Sequence, residues 1–168
     1  GSEYFAAHPP IPVAQMVGGL NMDNLYSVGK TRDITVIGSG KSELEDDLRT
    51  AAARQGRVPV QEPSPEKGFY YRSDHFNLAK AGVPMLYTKA GIDSPTLGAD
   101  YGKQWLAEYT AKRYHQVSDQ YSPAWDVSGT LQDLQLYYDV GLGIANSSRW
   151  PNWYQGVEFR AIRDRSRK

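Results

Sequence analysis

The sequence contains no cysteine. That excludes a disulfide framework and any thiolate metal site, and it leaves histidine, aspartate and glutamate as the side chains able to hold a metal. Histidine is itself scarce, at three residues. Charge of one sign is lacking as well: 19 lysines and arginines balance 19 aspartates and glutamates. No net field therefore draws the chain to nucleic acid or to an anionic membrane. Only the tail from Arg160 to Lys168 is basic, and such a run ordinarily forms a solvated end. No apolar stretch approaches the roughly 20 residues of a membrane span. There is no internal repeat. The Gly-x-Ser-x-Gly spacing of a serine nucleophile elbow is missing, and the adjacent Asp74 and His75 do not make two members of a triad. Gly38-Ser39-Gly40-Lys41-Ser42 has the composition of a phosphate loop without its Gly-x-x-x-x-Gly-Lys-Ser/Thr spacing, which argues against phosphate binding.

What is present reads as one unit. A chain of 168 residues buries roughly 70% of its unfolded surface, enough for a single substantial core. Glu3-Tyr4-Phe5-Ala6-Ala7 looks like the last turns of a helix stopped by Pro9 and Pro10, and Gly1-Ser2 is either a tag remnant or the continuation of an upstream helix. Val13 to Leu20 predicts a buried strand that delivers Asp23 near its carboxyl end, where open α/β sheets place ligands. Asp33 to Gly38 and Val83 to Thr88 predict further strands, with Val58-Pro59-Val60 a short strand or linker. A helix from about Glu43 to Gln55 is predicted, capped by Ser42, with Leu44, Leu48, Ala51 and Ala52 on one face. A second starts at Ser73-Asp74-His75 and stops at Gly82. Ala90 to Lys103 reads as a long glycine-rich loop, Gln104 to Arg113 as a helix, and Thr130 to about Arg149 as the longest helix. That last helix presents Leu131, Leu134, Tyr137, Tyr138, Leu142 and Ala145 as a core-facing stripe. Strands alternating with helices predict α/β layers on a mostly parallel sheet.

The candidate chemistry lies in three short stretches. Asp23 and His115 are residue types that bind zinc, yet each also has an ordinary reading: Asp23 as a cap of the Asn24-Leu25 turn, His115 as a surface histidine at a helix end. Ser73 or Asp74 is expected to cap the helix that follows.

Taken together, Asn21-Met22-Asp23, then Tyr70-Tyr71-Arg72-Ser73-Asp74-His75 leading to Ala81-Gly82-Val83-Pro84, then Tyr114-His115-Gln116-Val117-Ser118-Asp119, resemble the co-catalytic zinc aminopeptidase family. That family includes bacterial leucyl aminopeptidases and is related to glutamate carboxypeptidase and glutaminyl cyclase. Arg149-Trp150-Pro151 and Glu158-Phe159-Arg160 resemble its larger bacterial members, so the similarity spans nearly the whole chain. The resemblance implies a three-layer α/β/α sandwich with a mostly parallel mixed sheet and two zinc ions, about 3.5 to 4 Å apart, bridged by one water. It implies that Asp23 and His115 bind one zinc and that Tyr70, with Tyr71 the neighbouring alternative, donates to the oxyanion. It makes Asp119 either an orienting partner of His115 or a turn residue, and it puts Asp74 and His75 in the wall or support of the site. The implied substrate is a peptide or protein attacked at its amino terminus, and the implied location is periplasmic or secreted.

Two family motifs have no counterpart in the sequence: the His-x-Asp that supplies one ligand and the bridging aspartate, and the Glu-Glu pair of general base and ligand. In the family a Gly-Leu-Leu-Gly-Ser-like run follows that pair, so Gly1-Ser2 falls where such a run ends. Residues 1–168 are therefore expected to be the C-terminal portion of a zinc metallopeptidase catalytic domain, inactive alone, with partial or no zinc occupancy. Self-association through exposed sheet edges is a further expectation. The alternatives are a non-catalytic binding relative, a carboxypeptidase and a glutaminyl cyclase.

Overall fold

Four short strands organise the chain in a computed structural model that describes residues 1–23 and 26–168. The elements are α1 (Ser2–Ala7), β1 (Gly19–Asn21), β2 (Asp33–Val36), α2 (Leu44–Arg54), β3 (Val58–Gln61), α3 (His75–Lys80), β4 (Met85–Ala90), α4 (Gly98–Lys112), α5 (Ser128–Ala145) and α6 (Arg160–Ser166), with 3-10 turns at Val13–Gln15, Pro65–Lys67 and Phe69–Arg72. The sheet order is β1-β4-β2-β3. β1 runs parallel to β4, with Asn21 opposite Tyr87, and β2 runs parallel to β3. β2 and β4 are antiparallel, with Val36 opposite Thr88. The result is the mostly parallel mixed sheet that the sequence predicts.

β4 is one of the two inner strands, and its side chains alternate between two cores, as the twofold period of a strand requires. Leu86 joins Ile34, Val36, Leu44, Leu48, Ala51, Ala52, Leu136 and Val140 beneath α2 and α5. Met85 and Tyr87 join Ile37, Tyr70, Ala79, Val83, Trp153 and Phe159 beneath α3 and the C-terminal aromatic segment. Helices on both faces make three layers, and each fully buried leucine-sized side chain contributes about 1.5–3 kcal/mol. β3 is an edge strand, consistent with Pro59, which has no N–H to donate. The end of α3 follows the expected signal: Gly82 has φ +91, its N–H donates to Ala79 O, and Val83 N–H donates to Leu78 O, so two terminal carbonyls are satisfied.

Several boundaries differ from the sequence expectation, each for a physical reason. The apolar run from Val13 divides, and only Gly19–Asn21 pairs as a strand, because Val13 and Met16 pack into the second core instead. α4 begins at Gly98, inside the predicted loop. Gly102 is not a loop residue but a point of close approach, where a Cβ would meet Ile92 O at 2.0 Å. Ser42 Oγ accepts from Leu44 N–H at 3.2 Å, while Glu43 holds the cap position of α2. Neither Ser73 nor Asp74 caps α3 with its side chain, since both are engaged elsewhere.

The largest correction concerns α5. Its core face carries Gly129, Asp133, Leu136 and Val140, and most of the predicted stripe points outward, leaving Leu131 at 64% and Tyr138 at 61% exposure, while Tyr137 of that stripe turns inward and donates its hydroxyl to Asn21 O at 2.9 Å. The inward phase contains an aspartate paired with Arg57 and a glycine whose Cβ would meet Gly29 O at 2.0 Å. A hydrophobicity pattern scores both residues as outward. Leu131→Ala is accordingly expected to change the unfolding free energy by no more than about 0.5 kcal/mol, where an inward leucine would lose about 2–5 kcal/mol. Urea unfolding of the two chains distinguishes these outcomes.

Candidate functional site

Asp23 follows the carboxyl end of β1, and its carboxylate is fixed by neighbouring hydroxyls. Tyr87 OH donates to Asp23 Oδ2 at 2.8 Å, and Ser73 Oγ donates to the same oxygen at 3.1 Å. Asn21 Nδ2 donates to Ser73 Oγ at 3.0 Å. Side chains from the middle of β4 and from Ser73, two residues ahead of α3, thus converge on the carboxylate that follows β1. Among the described residues Asp23 Oδ1 accepts no hydrogen bond, both donors going to Oδ2. The capping role first considered for Asp23 involves Asn24 and Leu25, which lie outside the described residues.

His75 sits behind this group, 2% exposed. Its ring packs edge-on to Tyr70, with centroids 4.5 Å apart, and lies 5.0 Å from the Tyr87 ring. Neither ring nitrogen has a partner among the described residues. Burial favours the neutral imidazole and pushes its pKa down to about 4, against the upward pull of the Asp23 and Asp74 charges. Asp74 itself accepts from Ser2 Oγ at 2.7 Å, tying α1 to α3.

Tyr70 and Tyr71 separate clearly. Tyr70 is buried in the second core beside His75 and Phe159, and its hydroxyl is enclosed without a partner among the described residues. Burial, then the charge of Glu158, raises its pKa. Its position depends on Gly38, whose φ is +69 and whose place a Cβ would fill at 2.2 Å from the Tyr70 ring. Tyr71 is half exposed, donating to Glu158 Oε1 at 3.2 Å and accepting from Lys41 Nζ at 3.2 Å.

His115 follows α4 and has φ +58, in the left-handed region and alone in that respect among the described non-glycine residues. A backbone held there costs on the order of 1–2 kcal/mol and points to a position fixed for a purpose. Its ring stacks on Tyr114 at 3.9 Å. Asp119 Oδ2 accepts from Tyr109 OH at 2.9 Å, which holds the turn against α4. Asp23 and the His115 stretch approach a common neighbour, Tyr26. Burial raises the Tyr26 phenol to about 12, with Tyr109, Tyr114 and Asp23 adding to the effect.

Tyr26 and Tyr114 line a cleft of about 260 Å³, together with Phe69, Tyr109, Glu62 and Lys89 among others. The sequence reading missed Tyr87 and Lys89. Both follow from the period of β4, since Met85, Tyr87 and Lys89 share one face, and a lysine in an otherwise buried strand was the available signal. The glycine-rich loop before α2 offers no anion site. Glu45 already occupies it, accepting from Gly40 N–H at 2.8 Å and Lys41 N–H at 2.9 Å.

The donor set for a metal is incomplete. Among the described residues no group of three or more histidine, aspartate and glutamate side chains is placed to hold a cation, and a catalytic zinc takes three protein ligands plus water. No helix among the described residues is long and apolar enough to cross a membrane.

Residues 1–139 match the family model described as Peptidase family M28. Comparison with curated proteins and with solved structures returned no match.

Proposed function

Since the chain belongs to Peptidase family M28, a family of hydrolases that cleave peptide bonds, we propose that it supplies part of the active site of a zinc-dependent exopeptidase that removes residues from peptide amino termini. The observation that carries this reading is the Asp23 carboxylate, presented at a strand end with one oxygen held by Ser73 and Tyr87. Ser73 and Tyr87 orient that carboxylate. The aromatic wall of Tyr26, Tyr109 and Tyr114 excludes water from whatever side chain enters. Zinc supplies Lewis-acid activation of water in such enzymes. Among the described residues no three carboxylate or imidazole side chains are grouped to hold a cation, and a zinc bound by Asp23 and His115 would need a further ligand and a base for the hydrolytic step.

Asp23 and His115 are the proposed ligands of one ion, and Tyr70 the proposed donor to the developing oxyanion. The pure 168-residue chain is accordingly expected to show no aminopeptidase turnover on leucine or alanine amides, with or without added zinc. Turnover that is abolished by a chelator would overturn the claim that this donor set is insufficient.

A further inference from the structure

The chain as a whole is neutral, with 19 charges of each sign, but the cleft beside Asp23 is not. Its lining holds two lysines, Lys67 and Lys89, against one carboxylate, Glu62. Glu62 is turned inward: Oε1 accepts from Gly38 N–H at 2.8 Å, and Oε2 is enclosed. Lys89 differs. Its ammonium lies 4.5 Å from the centroid of the Phe69 ring and makes no hydrogen bond or ion pair among the described residues. It is not among the enclosed polar atoms. Arg72 lies over the same ring at 5.0 Å, so Phe69 carries two cations at the cleft wall.

The face alternation of β4 explains where Lys89 points. Tyr87 reaches Asp23, and Lys89, two residues further on the same face, enters the cleft next to it. Burial disfavours its charged form, and the more distant Asp23 and Glu62 charges only partly compensate. A cation that is half desolvated and unpaired is a ready partner for an anion, because a charge-assisted hydrogen bond in such surroundings is about twice as strong as a neutral one. A basic substrate side chain would meet Lys89 and Lys67 before the enclosed Glu62.

We propose that the cleft receives a carboxylate-bearing part of a peptide substrate and that Lys89 is the residue that selects it. This rests on the peptidase reading and names its substrate class. The carboxylate has two possible sources: the side chain of a terminal glutamate or aspartate, and the C-terminal carboxylate of a short peptide.

The test is binding of four peptides to the full chain by calorimetry: Glu-Ala amide, its neutral isostere Gln-Ala amide, Leu-Ala amide, and Leu-Ala free acid. One charged pair is expected to show a preference of about tenfold over its neutral counterpart. Preference for Glu-Ala over Gln-Ala amide identifies a side-chain carboxylate, and preference for Leu-Ala acid over its amide identifies the terminal one. Lys89→Met should abolish the preference, and Lys89→Arg should retain it, with both variants checked for native unfolding transitions. Equal binding within both pairs, or a preference that survives in Lys89→Met, overturns this inference alone and leaves the peptidase reading standing. Binding of none of the four overturns it and counts against the peptide-site reading as well.

Discussion

Replacing Asp133 by alanine is expected to destabilise the chain by about 3–5 kcal/mol. Arg57 Nη1 lies 2.7 Å from Asp133 Oδ1, with the two side chains 1% and 11% exposed. The same guanidinium donates to Thr31 Oγ1 at 3.0 Å and Asp33 O at 2.7 Å. Removing the carboxylate leaves a buried guanidinium without a counter-charge, and alanine suits the interior of α5, so helix propensity does not add to the loss. The intact pair is a different matter. Arg57 Nε has no partner among the described residues, and burial raises the Asp133 pKa despite the opposing pull of Arg57, so desolvation offsets most of the attraction. The double variant Arg57→Leu, Asp133→Leu should therefore recover most of what Asp133→Ala loses. Denaturant unfolding of the single and double variants gives the comparison. A single variant within about 1 kcal/mol of the parent would show that the pair is solvated.

The second large effect is on acid stability. His75 has a folded pKa of about 4 against a reference value of 6.5. Between those two values the unfolded chain binds a proton at this residue and the folded chain does not, so stability rises with pH across that window and is lost as pH falls through it. Above about 6.5 both states are neutral at His75 and the contribution is flat. The gap corresponds to about 3 kcal/mol lost by pH 4. His75→Leu removes the titrating group and both unpartnered nitrogens, so its unfolding free energy should fall less steeply than the parent's between pH 6.5 and 4. The other carboxylates and histidines titrate in both chains and cancel in the difference. Parallel curves for the two chains would mean that the imidazole is hydrated in the folded state.

Both effects involve polar groups inside the layers, which is where the sequence is hardest to read. The sheet was legible because β-branched runs such as Ile34-Thr35-Val36 and the apolar Met85-Leu86-Tyr87 follow the strand period. α2 was legible because Leu44, Leu48, Ala51 and Ala52 follow the helix period. α5 was misread by its phase, because Asp133 and Gly129 face inward for reasons that lie in other segments: a guanidinium from the start of β3 and the backbone at Gly29. The extent of α4 was misread because Gly102 signals close packing on Ile92 as readily as it signals a loop.

The order of Asp23, Ser73 to His75, and His115 along the chain, together with the absence of cysteine, determined the family, the layered fold and the residue types available to bind a metal. These are properties of local sequence, and no folding is needed to see them. Only the tertiary structure decided what surrounds each of them. It sent the Tyr87 and Ser73 hydroxyls to Asp23, gave Asp119 Oδ2 to Tyr109, filled the glycine loop with Glu45, and turned Lys89 into the cleft. The hydroxyls that reach Asp23 come from 50 and 64 positions away and are placed by strand register and helix packing, which no local pattern encodes.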